Sequence, residues 1–138
     1  MMRAVWSEDP VTFESRYIAA EVKEMTMAPM PISRIPLWFG GSSEPALRRT
    51  IRIGDGWHGS ELSPDKAAPI VQRLRAARPE ADFAVSMRVR WDGQDRGVLR
   101  ALVDDYAAIG VEHLLVAPKD RNVDDWEKVT DGVGSLVA

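Results

Sequence analysis

The sequence predicts an α/β fold of about four parallel βα units over residues 35–138, preceded by an irregular segment over residues 1–34. Three observations carry this expectation. Short apolar runs alternate with amphipathic helical patterns from Ile35 onward, Phe83–Trp91 alternates cleanly between apolar and polar residues, and Val111–Ala117 is almost continuously apolar. The 138 residues suffice for a single domain with its own core.

The first strand is expected at Ile35–Phe39, closed by Gly40-Gly41. Ser42 or Ser43 then caps a helix, and Pro45 sits in its first turn, where a missing N–H costs little. Ala46, Leu47 and Ile51 form the buried stripe of that helix; Arg48, Arg49 and Arg52 form its wet face, and Gly54 stops it. A short strand, Asp55–His58, follows. Ser63-Pro64 opens a second helix with Ala67, Ile70, Val71 and Leu74 on one face, and Pro69 is expected to bend it or delay its start.

The third strand, Phe83–Trp91, puts Phe83, Val85, Met87, Val89 and Trp91 on one face and Ala84, Ser86, Arg88 and Arg90 on the other. A third helix uses Val98, Leu99, Leu102, Val103, Tyr106 and Ile109 and ends at Gly110. Val111–Ala117 reads as a buried parallel strand. A last helix starts near Asp124 and carries Trp126, Val129, Val133 and Leu136. Upstream, Met1–Ser7 reads as the tail of a helix, and Phe13–Met27 reads either as an irregular hairpin or as a helix, with extended structure favoured. Met27–Ile32 forms a proline-stiffened connection.

Composition excludes several functions. Eighteen basic and 21 acidic residues leave a net charge of −3, unlike the basic footprint of a nucleic-acid binder. No stretch approaches the roughly 18 apolar residues of a membrane span, and the N-terminus lacks a secretory h-region, so a cytoplasmic location is expected. The absence of cysteine removes disulfides, thiolate metal sites and a Cys nucleophile. With only His58 and His113, no metal-ligand spacing emerges, and no Ser/His/Asp set or paired-acid motif stands out.

Several motifs then occur in order. They are Asp9-Pro10-Val11-Thr12-Phe13-Glu14-Ser15-Arg16-Tyr17, Pro29-Met30-Pro31, and Ile35-Pro36-Leu37-Trp38-Phe39-Gly40-Gly41-Ser42-Ser43, followed by Ala46-Leu47-Arg48-Arg49 and Ile53-Gly54-Asp55-Gly56-Trp57-His58. Together they resemble the second half of the luciferase-like monooxygenase family, flavin- and deazaflavin-dependent oxidoreductases on an eight-stranded TIM barrel. The resemblance implies half of a TIM (β/α)8 barrel, since a complete one takes roughly 250 residues. It also implies FMN or the deazaflavin coenzyme F420 as cofactor. Ser15 stands where the family usually has glycine, and Met30 where it often has lysine. The family's first four strands, which supply much of its ring pocket and most catalytic side chains, have no counterpart here, so no catalytic residue is assigned.

The candidate site residues lie at strand ends. Gly40, Gly41, Ser42 and Ser43 join a strand's carboxyl end to a helix N-terminus, where backbone N–H groups and the helix dipole favour an anion. By resemblance this loop lies against the cofactor's phosphate-bearing tail; by its residues alone it is an ordinary loop and cap. Arg88 and Arg90 suit a phosphate or carboxylate if they face a barrel interior. Their other reading is a wet face, or pairing with Asp82, Asp92 or a partner chain. His58 reads either as a proton donor or ring contact, or as a solvated strand end. His113, at the opposite end of its strand, receives no catalytic role. Trp38, Trp57, Trp91 and Trp126 are expected to pack between layers.

Half a barrel leaves two open edges and one uncovered face. A second copy, a separate partner chain, or the first 34 residues folded back would each cover them, and a homodimer is the expected solution. Two functions follow: an oxidoreductase acting on a small-molecule ligand once its barrel is completed, or a catalytically inactive member serving as a binding or oligomerisation module.

Overall fold

The computed structural model describes residues 2–14, 21–120 and 122–137. The chain separates into two compact units, residues 1–36 and 37–138. In the first, helix α1 (Met2–Val5) precedes an antiparallel pair, β1 (Val11–Glu14) and β2 (Glu21–Met25). Extended structure between Phe13 and Met27 is therefore present in the described part of that stretch. Ser15 lies outside the described residues.

The second unit holds β3 (Trp38–Gly40), α2 (Glu44–Ile53), β4 (Gly56–Ser60), α3 (Pro64–Ala77), β5 (Ala84–Trp91), α4 (Arg96–Ala108), β6 (His113–Pro118) and α5 (Val123–Val137). Its four strands pair in chain order and all in parallel, so the unit supplies four of the eight βα units of a (β/α)8 barrel. β3 is shorter than the apolar run Ile35–Phe39. Pro36 has no N–H for a ladder, and Leu37 instead exchanges bonds with Asp55: its N–H donates to Asp55 Oδ2 at 2.8 Å and its carbonyl accepts the Asp55 N–H at 2.7 Å.

Period-two alternation gives the sheet two unlike faces. Trp57, Val85, Met87 and Val89 of the sheet pack with Leu47, Val71, Leu74 and Tyr106 of the helices in the main core; Trp91, Leu99 and Val129 form a smaller cluster. The Phe83–Trp91 alternation is thus realised, with its whole apolar set buried. The other face carries Trp38, Gly56, His58, Ser86, Arg88, His113 and Leu115.

β6 corrects an expectation. It is an edge strand, not a buried one: Leu114 and Val116 pack on the core, while Leu115 is 48% exposed on the other face. An uninterrupted apolar run cannot by itself reveal which face lacks a cover. Trp126 and Val98, expected on buried faces, are 49% and 50% exposed. Pro69 neither delays nor interrupts α3, which runs unbroken from Pro64 to Ala77 with Pro69 on its exposed side.

Local chemistry pins the helix ends. Asp95 caps α4 by accepting the Gly97 N–H at 2.7 Å, and Asn122 accepts the Asp125 N–H at 2.9 Å at the start of α5. The Arg78 guanidinium closes α2 by donating to the carbonyls of Ile51 and Gly54, at 3.1 and 2.7 Å, while lying 4.9 Å from the Phe83 ring centroid.

Candidate functional site

Parallel pairing brings the carboxyl ends of all four strands to one end of the sheet, the end at which barrel enzymes place ligands. The Gly40–Ser43 loop leaves β3 there. Gly41 adopts φ +97°, a conformation that L side chains rarely take, and its carbonyl accepts the indole N–H of buried Trp57 at 2.9 Å. Ser43, not Ser42, occupies the N-cap position of α2, yet its side chain makes no capping hydrogen bond. Pro45 has no N–H and the Leu47 N–H donates to the Ser43 carbonyl at 3.0 Å, so in this first turn the amides of Glu44 and Ala46 remain for a solvent or ligand acceptor. Glu44, in the same turn, is engaged elsewhere, in a bidentate pair with Arg73 of α3 at 2.6 and 2.8 Å.

A second group forms along β4 and β5, with Ser60, Glu61, Arg88 and Arg90 toward the carboxyl end; His58, expected to close its strand, is instead the third residue of β4, which runs on to Ser60. Register sets Ser60 opposite Arg88 and His58 opposite Ser86. Arg88 donates to Ser60 Oγ at 2.9 Å and to Glu61 Oε1 at 3.1 Å; Arg90 donates to the same carboxylate at 2.9 Å and to the Lys119 carbonyl at 3.2 Å. The partner of both guanidiniums is therefore Glu61, not Asp82 or Asp92; Asp92 pairs with Lys119 at 2.9 Å. The hydrogen bond from Arg90, reinforced by both positive charges, holds Glu61 below the usual carboxylate range.

Glu61 is the site residue the sequence does not announce. It is a lone acid after Ser60, and its backbone turns at φ +57°, which a non-glycine residue seldom adopts. That turn, secured by its N–H on the Arg88 carbonyl at 2.8 Å, carries the carboxylate over the arginine pair.

His58 Nδ1 lies 3.0 Å from the Oγ of fully buried Ser86. Burial, and secondly the Arg88 charge, lower its pKa below 6.5, so the ring is neutral at pH 7. His113 occupies the same cross-strand row, Gly40–His58–Ser86–His113, but its ring turns to Trp38, 5.3 Å away between centroids. Trp38 therefore does not pack between sheet and helices. It lies over Gly56 on the sheet face opposite the core, where a Cβ at Gly56 would come within 2.8 Å of the indole. Trp57 and Trp91 do pack in the cores.

Among the described residues no group of three or more His, Asp or Glu side chains is placed to hold a metal ion. No described helix is long and apolar enough to cross a membrane. A pocket of about 430 Å³ within the first unit, lined by Arg3, Trp6, Pro31 and Arg34, contains none of the sequence-predicted site residues.

A parallel βα sheet with its polar groups gathered at the strands' carboxyl ends defines the class: one half of a barrel-enzyme scaffold. The sequence model of the luciferase-like monooxygenase family matches residues 1–126, and the chain belongs to that family. An uncharacterized protein of Mycobacterium tuberculosis is 30% identical over 81 residues, 59% of this chain and 27% of that protein. The F420-dependent glucose-6-phosphate dehydrogenase of Intrasporangium calvum is 28% identical over 101 residues, covering 67% of this chain and 30% of the relative. The match thus spans less than a third of either curated relative. Among solved structures, an F420-dependent secondary alcohol dehydrogenase in complex with an F420–acetone adduct shares the fold with a TM-score of 0.74. It covers 99% of this chain and 59% of that one at 13% identity.

Proposed function

We propose that this chain forms the cofactor-tail half of a luciferase-like, flavin- or deazaflavin-dependent oxidoreductase, whose barrel a second chain closes. The observation that carries the reading is the Gly40–Ser43 loop: small, exposed, turned by Gly41 and leading into a helix whose first amides lack a side-chain cap. Such a loop fits a phosphate-bearing group, because backbone N–H donors and the helix dipole converge on it and the first-turn carboxylate, Glu44, is held in its pair with Arg73. When bound, the cofactor's ring supplies hydride transfer. This chain's own part is to fix the tail with Gly40, Gly41, Ser42 and Ser43. His58 offers a neutral hydrogen-bonding ring, and Arg88 and Arg90 draw an anionic substrate group. Family membership and the two F420-dependent proteins support the cofactor class and make F420 the first to test.

Titration of the full chain with F420 and, separately, FMN tests this reading, with cofactor fluorescence and thermal unfolding as readouts. Saturable binding with a rise in unfolding temperature is expected, since a ligand of the native state stabilises it. Ser42→Asp, which sets a carboxylate against the phosphate, should weaken binding at least tenfold without lowering the unfolding temperature of the free protein. If neither cofactor shifts either readout at high micromolar concentration, the reading fails in favour of an inactive binding or oligomerisation module.

A further inference from the structure

Among the described residues, the second unit leaves one sheet face without a helix and two strand edges without partners. Leu115 is 48% and Trp38 41% exposed on that face, and β3 and β6 are the unpaired edges. The helices flanking those edges bear complementary surfaces. Resting on the reading that a second chain closes the barrel, we infer that the closing chain is a second copy of this one, seated with α5 of each copy beside α2 of its partner.

Helix geometry locates the two surfaces. On α2, Glu44 marks the flank toward α3 through its 2.6 Å ion pair with Arg73. Arg49 and Ile53 lie roughly 140° and 180° around the helix from Glu44, at roughly 100° per residue, and so face the open β3 edge. Ile53 is 43% exposed, and Arg49 and Arg52 form no ion pair among the described residues. On α5, Lys128 marks the flank toward α4, because its Cβ sits 2.7 Å from a Cβ built on Gly93 in the β5–α4 connection. Val123 and Trp126 lie roughly 140° and 160° around from Lys128, beside the open β6 edge. They are 72% and 49% exposed, and with Glu127 and Asp131 they line a hollow of about 430 Å³.

Symmetry brings these flanks together. In a βα barrel each helix lies outside its own strand and the next, so α5 sits beyond β6, where a following strand would add. A two-fold axis along the barrel places the partner's β3 at that position and the partner's α2 against α5. Such an axis preserves height along the strands. Glu127 is the fifth residue of α5 and Arg49 the sixth of α2, so the two lie at closely similar heights. Trp126 and Val123 then cover Ile53, with Glu127 of α5 and Arg49 of the partner's α2 pairing along the solvent side. The seam occurs twice per dimer.

Sedimentation velocity on the full chain at micromolar concentration should give a dimer of two 15.4 kDa chains. Trp126→Glu should raise the dissociation constant at least roughly thirtyfold, the effect of losing a central aromatic anchor. Arg49→Glu should weaken the dimer, as should Glu127→Arg, and combining the two should restore it. Far-ultraviolet dichroism of the variants should match wild type, since every altered side chain is exposed. A monomeric wild type overturns the inference, as does a dimer indifferent to both charge reversals. A chain that stays monomeric alone but forms a one-to-one complex with the N-terminal portion of a full-length family member overturns it in favour of that partner. A dimer that binds neither cofactor supports the seam and refutes the cofactor reading; a cofactor-binding monomer does the reverse.

Discussion

Trp57→Phe tests whether the glycine loop is held in place by the core. Trp57 is fully buried and its indole N–H reaches the Gly41 carbonyl at 2.9 Å, so one side chain links the main core to the loop. Phenylalanine retains most of the apolar surface but not the donor. The lost hydrogen bond is worth about 1 kcal/mol net. A void of about 40 Å³, at about 24 cal/mol per Å³, adds about 1 kcal/mol. The exposed Gly41 carbonyl rehydrates, so no further penalty is due for an unmet buried acceptor. Urea unfolding should therefore show a loss of about 2 kcal/mol with an unchanged m-value. F420 or FMN affinity should fall several-fold, because the loop amides lose their anchor. Val71→Ala, in the same core but away from the loop, should cost stability and leave cofactor affinity unchanged. A Trp57→Phe loss within about 0.5 kcal/mol, or equal affinity changes in the two variants, would refute the coupling.

Other outcomes follow from the same geometry. An NMR titration should give His58 a folded pKa below 6.5, and Arg88→Gln should raise it. The unfolded chain takes up that proton first as pH falls through 6.5. The His58 contribution to stability is accordingly present above pH 6.5 and is lost as pH falls toward the folded value; a midpoint at or above 6.5 would contradict the burial. Glu61→Gly removes the carboxylate and suits the φ of +57°, so calorimetry should show tighter binding of inorganic phosphate by the freed Arg88 and Arg90. Equal phosphate affinity would mean that Glu61 does not compete. Gly132→Ala gains about 1 kcal/mol of helix propensity, but its Cβ would collide with the Trp91 indole, an overpacking cost of about 1–3 kcal/mol. A net loss in urea midpoint is expected, and a gain would show that Trp91 yields freely.

The legible parts of this chain are those whose signal is local. β5 declares both faces through strict alternation, and with them the side on which Arg88 and Arg90 lie. Gly41 and Pro45 mark a strand-to-helix turn because their backbone limits are their own. What stays hidden depends on residues distant in sequence. The Arg88–Glu61 pair joins positions 27 apart, and only the parallel β4–β5 register brings them together. Trp126 sits at a core-like helical spacing, yet the strand against which that side of α5 would pack is not in this sheet. Trp38 reads as a layer tryptophan until Gly56 is seen to leave room for it on the opposite face.

The charge left at the strand ends sets what the site can accept. Two guanidiniums, one carboxylate held in its ionised form and a neutral imidazole leave a single positive charge among Arg88, Arg90, Glu61 and His58. A ligand bearing one negative charge can balance it with Glu61 in place. A dianion brings like charge against Glu61 and gains full use of the arginines only by displacing that carboxylate, which the two hydrogen bonds it accepts from the arginines resist, together with an αL turn secured by the Glu61 N–H on the Arg88 carbonyl. Wild type should therefore favour a carboxylate over a phosphate dianion, and Glu61→Gly should reverse that order. Competitive calorimetry with acetate and inorganic phosphate measures both preferences, and an order unchanged by the substitution would place the anion away from the arginine pair.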